Sequence, residues 1–594
     1  MRILTASDRA LLVEAADLDE AMRLNLAWDG IHGVVERIPG ARTVLVRFDP
    51  LRVSAAELAA VVEATPVDAA HVRHTREVSI PVQYDGEDLD EVATLLGVSA
   101  EEVVNRHLAA EWQVAFSGFA PGFGYTVGSD SLFDVPRRSS PRTRVPAGSV
   151  GLAGHFTGVY PRESPGGWQL IGRTDAVMWD IERDPPALMS PGTLVRFVRA
   201  PASVRGGAVR SATASPGRDM PPRSSVALPP DPMPARPGDA VVALDGAGHR
   251  AGTGSGSAAG VGSVAALGTV EVVRPSLQLL VQDLGRSGHA ALGVSASGVA
   301  DRTALRDANR AVGNPAGAAV LESVGGCVLR FRGDGVAAVA GAVGELVLTD
   351  AAGRTRTLAH GTPFAVVDGD ELALGHPTHG LRYVIAVRGG IRAHEALGST
   401  ASDTLAGLGP APLKAGDVVE MGMGAPHAVD PHPQPRALPA SGDQVELEIT
   451  LGPRDDWFTA SALQTLTAQE WTVTPRSDRV GIRLHGDVPL ERATGGELPS
   501  EGAVTGAIQV PADGQPVLFL PDHPLTGGYP IIGALTDRCL DLAGQLPPGV
   551  RIRFRVVDPV MDHGRSPASR PASAADTPQA SVRPHLDLTE KGTS

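Results

Sequence analysis

"SPGGWQLIGRT" (Ser164–Thr174) and "LTGGYPIIGAL" (Leu525–Leu535) are one pattern written twice. Each has a Gly-Gly pair, an aromatic residue, one spacer, two branched aliphatics and a glycine, in register. Gly-Gly ahead of an apolar run reads as a turn feeding a buried strand. Each copy has company in the same order. Upstream stand "VPAGSV" (Val145–Val150) and "VPADGQPV" (Val510–Val517). Downstream, each half closes with a Pro-Gly turn and a strand ending in Arg-Phe, "SPGTLVRF" (Ser190–Phe197) and "PPGVRIRF" (Pro547–Phe554). Four landmarks in one order predict two related β-barrel domains, one ending each half of the chain.

At 594 residues the chain has room for about four domains. Its 42% hydrophobic and 20% charged residues are those of ordinary folded domains. Glycine (70) and proline (49) are abundant, which suits turn-rich β architecture better than helical bundles. A net charge of -15 argues against nucleic acid or an anionic membrane as main partner. No stretch is long and apolar enough to span a bilayer. The opening "MRILTASDRALLVEA" lacks the basic-then-apolar pattern of a signal peptide, so a cytoplasmic location is expected. Only Cys327 and Cys539 occur, which leaves no disulfide framework and no cysteine metal cluster; no metal site is expected.

Lysine is confined to Lys414, in "LKAGD", and Lys591. There is no GxxxxGK[ST], hence no P-loop. A Schiff-base enzyme needs a buried, activated lysine, whereas Lys414 precedes a turn signal and reads as solvated. Neither lysine sits in a biotin-carrier sequence, so no covalent biotin is expected on this chain.

Six segments follow from composition and periodicity. Residues 1–76 read as a small α/β domain: "RTVLVRFDP" (Arg42–Pro50) alternates like a strand, and "SAAELAAVVEAT" (Ser54–Thr65) opens with a capping box. Residues 77–199 are strand-rich with one helix, "SAEEVVNRHLAA" (Ser99–Ala110). Residues 200–268 are Pro-rich and then Gly/Ser-rich, the composition of a flexible linker. Order resumes over 269–435, the first domain of the second half, and 436–557, its barrel. Residues 558–594 read as a disordered tail.

Longer motifs carry a resemblance. "FSGFAPGFGYTVG" (Phe116–Gly128), "PRRSSPRTRVPAGSVGLAG" (Pro136–Gly154) and "SPGGWQLIGRT" resemble the B-type subunit of 5-oxoprolinase, also the allophanate hydrolase subunit 1 or KipI family. "VQDLGRSGHAALGVSASGVAD" (Val281–Asp301), "ANRAVGNPAGAAVLE" (Ala308–Glu322), "SDRVGIRL" (Ser477–Leu484) and "EGAVTGAIQVPADGQPVLFLPDHPLTGGYP" (Glu501–Pro530) resemble the companion C-type subunit, or KipA. The resemblance implies a mainly β fold with α/β parts and a cyclophilin-like barrel in each half, similar to the carboxyltransferase part of urea carboxylase. It implies a fused B–C component of ATP-dependent 5-oxoprolinase, a hydrolase opening 5-oxo-L-proline to L-glutamate. The implied cofactor is ATP, with Mg as its counter-ion, and the implied partner is a LamB/YcsF-like protein, the A-type subunit. Two other classes stay open: the carboxyltransferase component of a biotin-dependent urea carboxylase or allophanate hydrolase-like system, and a non-enzymatic KipI/KipA-type kinase regulator. Linking an inhibitor to its antagonist would cancel such a switch. Assembly with copies of itself also stays open.

Read on their own terms, several residues suit such chemistry. "RRSSPRTR" offers Arg137, Arg138, Arg142 and Arg144 as forks for carboxylate or phosphate; a solvated basic loop is the alternative. Arg142 and Arg144 are the binding candidates. "VQDLGR" places Gln282, Asp283 and Arg286 on one turn. Asp283 either orients or deprotonates water, or pairs with Arg286 and holds the turn. These two are the catalytic candidates, with Gln282 beside them for binding. Asp301 is a binding candidate or the N-cap of the next helix. Gln509 lies in a strand-like run, its amide suited to a lactam or ureido group, and Tyr529 belongs to the repeated Gly-Gly turn. The "FAPGFGY" rings Phe119, Phe123 and Tyr125 form either an aromatic floor or a core-closing turn. "AGSVG" lacks the first glycine of a nucleophile elbow and no helix follows it, which argues against Ser149 as nucleophile. "HVRH" (His71–His74) and "HPTH" (His376–His379) have loose metal spacing but no acidic partner clearly placed. Two departures from the resembled family stand out. "GSTASDTLAG" (Gly398–Gly407) carries Thr400 where the resembled family typically has arginine, and "DHPL" (Asp522–Leu525) stands where that family is often Gln/Thr-rich. The expected cleft lies between the halves, with "RRSSPRTR" on one wall and "VQDLGR" with "GAIQV" on the other.

Overall fold

The computed structural model describes residues 1–67, 76–138, 140, 142–200, 268–496 and 498–557. The linker read over 200–268 (apart from its two end residues), the tail from 558 and the "HVRH" stretch lie outside them. The parts on either side of the linker form one compact unit.

"RALLVE" opens the first domain's sheet with apolar residues on both faces of one strand, Ala10–Glu14. Four antiparallel strands, ordered Arg2–Ser7, Ala10–Glu14, Thr43–Phe48, Val34–Pro39, form that sheet. Side chains alternate across a strand, so each face must find cover. Leu11, Val13, Val44, Val46 and Phe48 pack beneath the helices Leu18–Ala27 and Ala55–Ala64. Ser54 and Glu57 close the capping box of the second helix as its sequence predicts. Leu4, Ala6, Ala10, Leu12, Ile38 and Leu45 instead meet Ala507, Phe519, Leu525, Ile531 and Ala534 from the far end of the chain.

The repeat is structural. In the first half seven strands run in the order Gln169–Arg173, Ser149–Ala153, Phe156–Val159, Gly124–Gly128, Trp112–Ser117, Leu194–Arg199, Glu77–Val82. Gln83 and Arg173 exchange two backbone hydrogen bonds of 2.8 Å, which joins the two outer strands. In the second half a closed barrel runs Ile531–Leu535, Ala507–Gln509, Val517–Phe519, Gly481–His485, Trp471–Val473, Arg551–Val556, Gln444–Leu451. The two orders match strand for strand, and in both the last two strands are the parallel pair. Smaller details repeat as well. Trp112 and Trp471 are fully buried, and each donates its indole N–H over 2.9 Å to the carbonyl five residues back, His107 and Leu466. A Cβ on Gly128 or Gly486 would stand 2.7 or 2.6 Å from the tryptophan ring, so both positions require glycine.

One landmark pairing is corrected. "VPAGSV" leads into the strand Ser149–Ala153, whereas "VPADGQPV" forms the turn after Ala507–Gln509. The structural counterpart of "VPAGSV" is 503–508: the carbonyls of Gly148 and Gly506 accept from Thr174 and Leu535 in the two copies. A second correction concerns helices. Two occupy the stretch where one was expected, Leu89–Leu96 and Ala100–Ala109, separated by Gly97 in the left-handed region (φ 67°) and the Ser99 cap.

Between linker and second barrel, a seven-stranded and a five-stranded sheet enclose a core of Val272, Leu279, Leu329, Phe331, Leu372 and Ile385. The helix Arg302–Val312 packs on the strands Gly335–Val343 and His379–Val387. The fold is thus mainly β with α/β parts. No helix among the described residues is long and apolar enough to cross a membrane.

A candidate active site at the seam of the two halves

"GFAPGFGY" makes the turn by which the first half meets the second. Gly118 is needed for close approach: a Cβ there would lie 2.4 Å from the Thr526 hydroxyl. Phe119 takes a left-handed backbone (φ 62°), unusual for a bulky residue and costing about 1–2 kcal/mol. That conformation is held by its N–H donating to Thr526 Oγ1 at 3.0 Å. Gly122 N–H donates to Leu292 O at 3.1 Å, and Gly293 (φ 77°) abuts the Ala120 carbonyl. Arg137 crosses to Ser500 Oγ at 2.9 Å. Farther along, Glu36 accepts the N–H groups of Gly288 and Ala290, and Arg454 reaches Glu14.

At this seam lies a small recess, partly open to solvent, with an internal volume of about 10 Å³, room for about one water molecule. Phe119 and Pro121 line it from the first half; Ser295, Leu405, His523 and Leu525 line it from the second. The His523 ring stacks on Phe519, with centroids 5.4 Å apart and planes 9° apart. Its Nδ1 is 2.9 Å from the Pro524 carbonyl, which only accepts, so Nδ1 carries the proton and Nε2 is bare. Burial pushes this imidazole down to about 4 and keeps it neutral at pH 7.

A buried ionic network stands behind the recess. Asp403 accepts from Ser295 Oγ (2.9 Å) and from the N–H groups of Leu405 and Ala406. Burial, and then the Asp522 charge, push Asp403 up to about 6. Burial alone would raise Asp522 too. The Arg479 charge outweighs that, aided by hydrogen bonds from Arg479, Ser297 and Thr404, and holds Asp522 below the usual carboxylate range. Arg479 is fully buried and also bonds Glu322 and Gly298 O. Arg162 of the first half reaches Leu405 O, at the lining. Leu405 O is the acceptor described for Arg162, and no carboxylate faces it among the described residues.

The comparisons follow this division. The family described as carboxyltransferase domain, subdomain C and D, matches residues 1–189, and the one described as subdomain A and B matches 292–556. Residues of the first part are 50% identical to the B-type subunit of 5-oxoprolinase from Bacillus subtilis (strain 168) over 127 residues, 21% of this chain and 53% of that one. The second part is 33% identical to the C-type subunit of 5-oxoprolinase from Escherichia coli (strain K12), covering 48% of this chain and 90% of that one. The chain belongs to the family of the B-type and C-type subunits of 5-oxoprolinase. It carries the B-like part first and the C-like part second. The crystal structure of TTHA0988 matches across both parts, with a TM-score of 0.70, 32% identity, and cover of 92% of this chain and 99% of that one.

Within this B–C fusion the residues singled out from sequence fall into distinct settings. Asp283 accepts from Gly285 N, Ser399 Oγ (2.6 Å) and both donors of Thr400. It holds its turn through those groups and makes no direct hydrogen bond to Arg286, a correction to the expected pairing. Arg286 is buried, donating to the carbonyls of Ala396 and Ala401, and Gln282 donates to Ser402 O at 2.8 Å. "VQDLGR" is therefore the socket for the 396–402 loop. Asp301 caps its helix through Ala304 N and meets Arg436 and Gln545. Gln509 donates to Tyr529 O at 3.3 Å, and Arg492 sits 5.8 Å above the Tyr529 ring. In the arginine loop, Arg138 and Arg142 share Asp88 at 2.7 Å each, and the exposed Arg144 pairs with Glu163. Phe123 and Tyr125 are core residues, while Phe119 lines the recess. Lys414 is exposed. The residues that sequence reading passed over are His523 within "DHPL", Arg162, and Asp403 within "GSTASDTLAG".

Proposed function

We propose that this chain is the B–C component of an ATP-dependent 5-oxoprolinase, working with a LamB/YcsF-like A-type subunit to open 5-oxo-L-proline to L-glutamate. The observation that carries the reading is the recess at the seam: one lining is built from both halves, which the family otherwise holds on separate subunits. Arg162, placed at Leu405 without a carboxylate among the described residues, pairs with the substrate carboxylate. Ser295 offers a polar contact on the second-half side, since its hydroxyl oxygen can still accept while it donates to Asp403.

Opening an unstrained amide is difficult, and what ATP supplies is activation of the lactam oxygen. The arginine loop does not fit a triphosphate as folded, because Arg138, Arg142 and Arg144 each face a carboxylate. No step on this chain is therefore drawn through the nucleotide. Incubation of the purified chain and its A-type partner with 5-oxoproline and ATP tests the reading. Glutamate and ADP released together support it. Carboxylation of urea from carboxybiotin, with 5-oxoproline untouched, overturns it in favour of carboxyltransferase chemistry.

A further inference from the structure

We propose that Asp403, Ser295 and one water held in the seam recess form a proton relay that serves the ring nitrogen as the amide bond breaks. That it serves a ring nitrogen rests on the 5-oxoproline reading; its path rests on the geometry. Asp403 is 2% exposed, so a proton reaches it only through a neighbour. Its described side-chain partners are the N–H groups of Leu405 and Ala406 and the Ser295 hydroxyl. A backbone N–H donates and passes no proton on, whereas a hydroxyl both donates and accepts. Ser295 Oγ, 2.9 Å from Asp403, is therefore the way in and out, and Ser295 lines the recess. The recess has room for about one water. Two side chains of the lining accept from that water, Ser295 through Oγ and His523 through Nε2. The imidazole is fixed in that role, because Nδ1–H goes to Pro524 O and the ring lies flat on Phe519.

The chain of hydrogen bonds has two directions. With Asp403 ionised, Ser295 donates to it and the water donates to Ser295 Oγ. With Asp403 protonated, the carboxyl O–H donates to Ser295 Oγ, and the hydroxyl turns to donate to the water. The water then gives one hydrogen to His523 Nε2 and presents the other at the mouth of the recess. Opening the lactam joins a second water's oxygen to the carbonyl carbon, breaks the C–N bond and leaves the nitrogen short of a proton. The relay supplies that proton and Asp403 ends ionised. The new carboxyl group loses a proton, which returns to Asp403 by the same path. Several charged groups bear on this exchange. Asp522 opposes ionisation of Asp403 and Arg286 favours it, while Asp522 is itself bonded to Arg479 and burial keeps His523 neutral. Burial, and then Asp522, bring Asp403 to about 6, suited to proton transfer near neutrality.

Two measurements on the full chain test the relay, and the first needs no substrate. At about pH 5 the protonated Asp403 carboxyl gives an infrared C=O band that shifts when its hydrogen is exchanged for deuterium. Loss of the band in Asp403→Asn assigns it. In wild type, exchange in heavy water is expected to be complete within the mixing time. In Ser295→Ala it waits on local opening of the loop and is expected to be slower by roughly ten-fold or more. Equal rates overturn the path through Ser295 and leave the 5-oxoproline reading standing. The second measurement is kcat/KM for 5-oxoproline against pH, with the A-type partner present. Wild type is expected to fall as pH rises through about 6. Asp403→Asn and Ser295→Ala are expected to lose that dependence and roughly a hundred-fold in rate. A wild-type profile in both variants overturns the relay's part in ring opening. No turnover by wild type overturns the 5-oxoproline reading, and the exchange rates still decide the path.

Discussion

Replacing Gly293 with alanine strikes the seam where it is tightest. The added methyl carbon would stand 2.5 Å from the Ala120 carbonyl oxygen. That oxygen is backbone and already accepts from Phe123 N at 3.0 Å, so it cannot swing aside. Ordinary contact begins near 3.4 Å, and the two walls must part by about 0.9 Å. Two costs follow. The left-handed backbone at φ 77° charges any non-glycine residue about 1–2 kcal/mol, and overpacking adds about 1–3 kcal/mol. The larger effect falls on chemistry, because a misplacement of about 1 Å in a reacting constellation costs about a hundred-fold in rate. Gly353→Ala is the matched control: its φ is 80°, and nothing lies within 4 Å of the added carbon. In thermal melts both variants should show the backbone cost, and Gly293→Ala the overpacking cost in addition. Only Gly293→Ala should lose about a hundred-fold in kcat/KM for 5-oxoproline, measured with the A-type partner. Equal activity of the two variants would refute a reacting site at the seam.

Other expected outcomes concern the assembly and its charges. Proteolysis within the linker should leave the halves co-eluting on size exclusion, because Leu4, Leu12, Ile38 and Leu45 are buried against Phe519, Leu525 and Ile531; separate peaks would contradict that packing. Asp403 holds its proton more tightly folded than unfolded, so its contribution to stability is fully present below about pH 4 and is lost as pH rises to about 6. Asp403→Asn should remove that slope, worth up to about 3 kcal/mol, from denaturation curves taken across the window; a slope identical to wild type would show that another group titrates there. Arg479→Met strands the buried Asp522 carboxylate and should cost about 3–5 kcal/mol in chemical denaturation; a loss under about 1 kcal/mol would show that Asp522 is neutralised another way.

Local chemistry decided what was legible beforehand. The repeated barrel shows in sequence because Gly-Gly and Pro-Gly turns and apolar runs are short-range features, and the parallel pair that closes each barrel ends in the same Arg-Phe strand. "VPAGSV" and "VPADGQPV" misled because similar turns serve two different connections of one barrel. The Asp301 cap was readable, since its acceptor role needs only the three residues that follow. The fate of the arginine loop was not: Asp88, which neutralises Arg138 and Arg142, lies some fifty residues upstream, at the start of a helix the sequence did not announce. His523 was hidden for the same reason. Its ring becomes an oriented acceptor only when Phe519 stacks beneath it and the "FAPGFGY" turn of the other half closes the recess. Likewise Asp403 is an ordinary aspartate until folding brings Asp522 beside it.

We propose that this B–C fusion opens 5-oxoproline at the seam of its halves. Coupled release of glutamate and ADP by the full chain with its A-type partner tests it most directly, wild type against Arg162→Ala. The account predicts coupled turnover in wild type and, in the variant, a KM for 5-oxoproline raised roughly ten-fold or more from loss of a charge-assisted hydrogen bond, with the fold intact by thermal melt. Wild-type turnover with an unchanged KM in Arg162→Ala, or no 5-oxoproline-dependent ADP release from wild type, would contradict it.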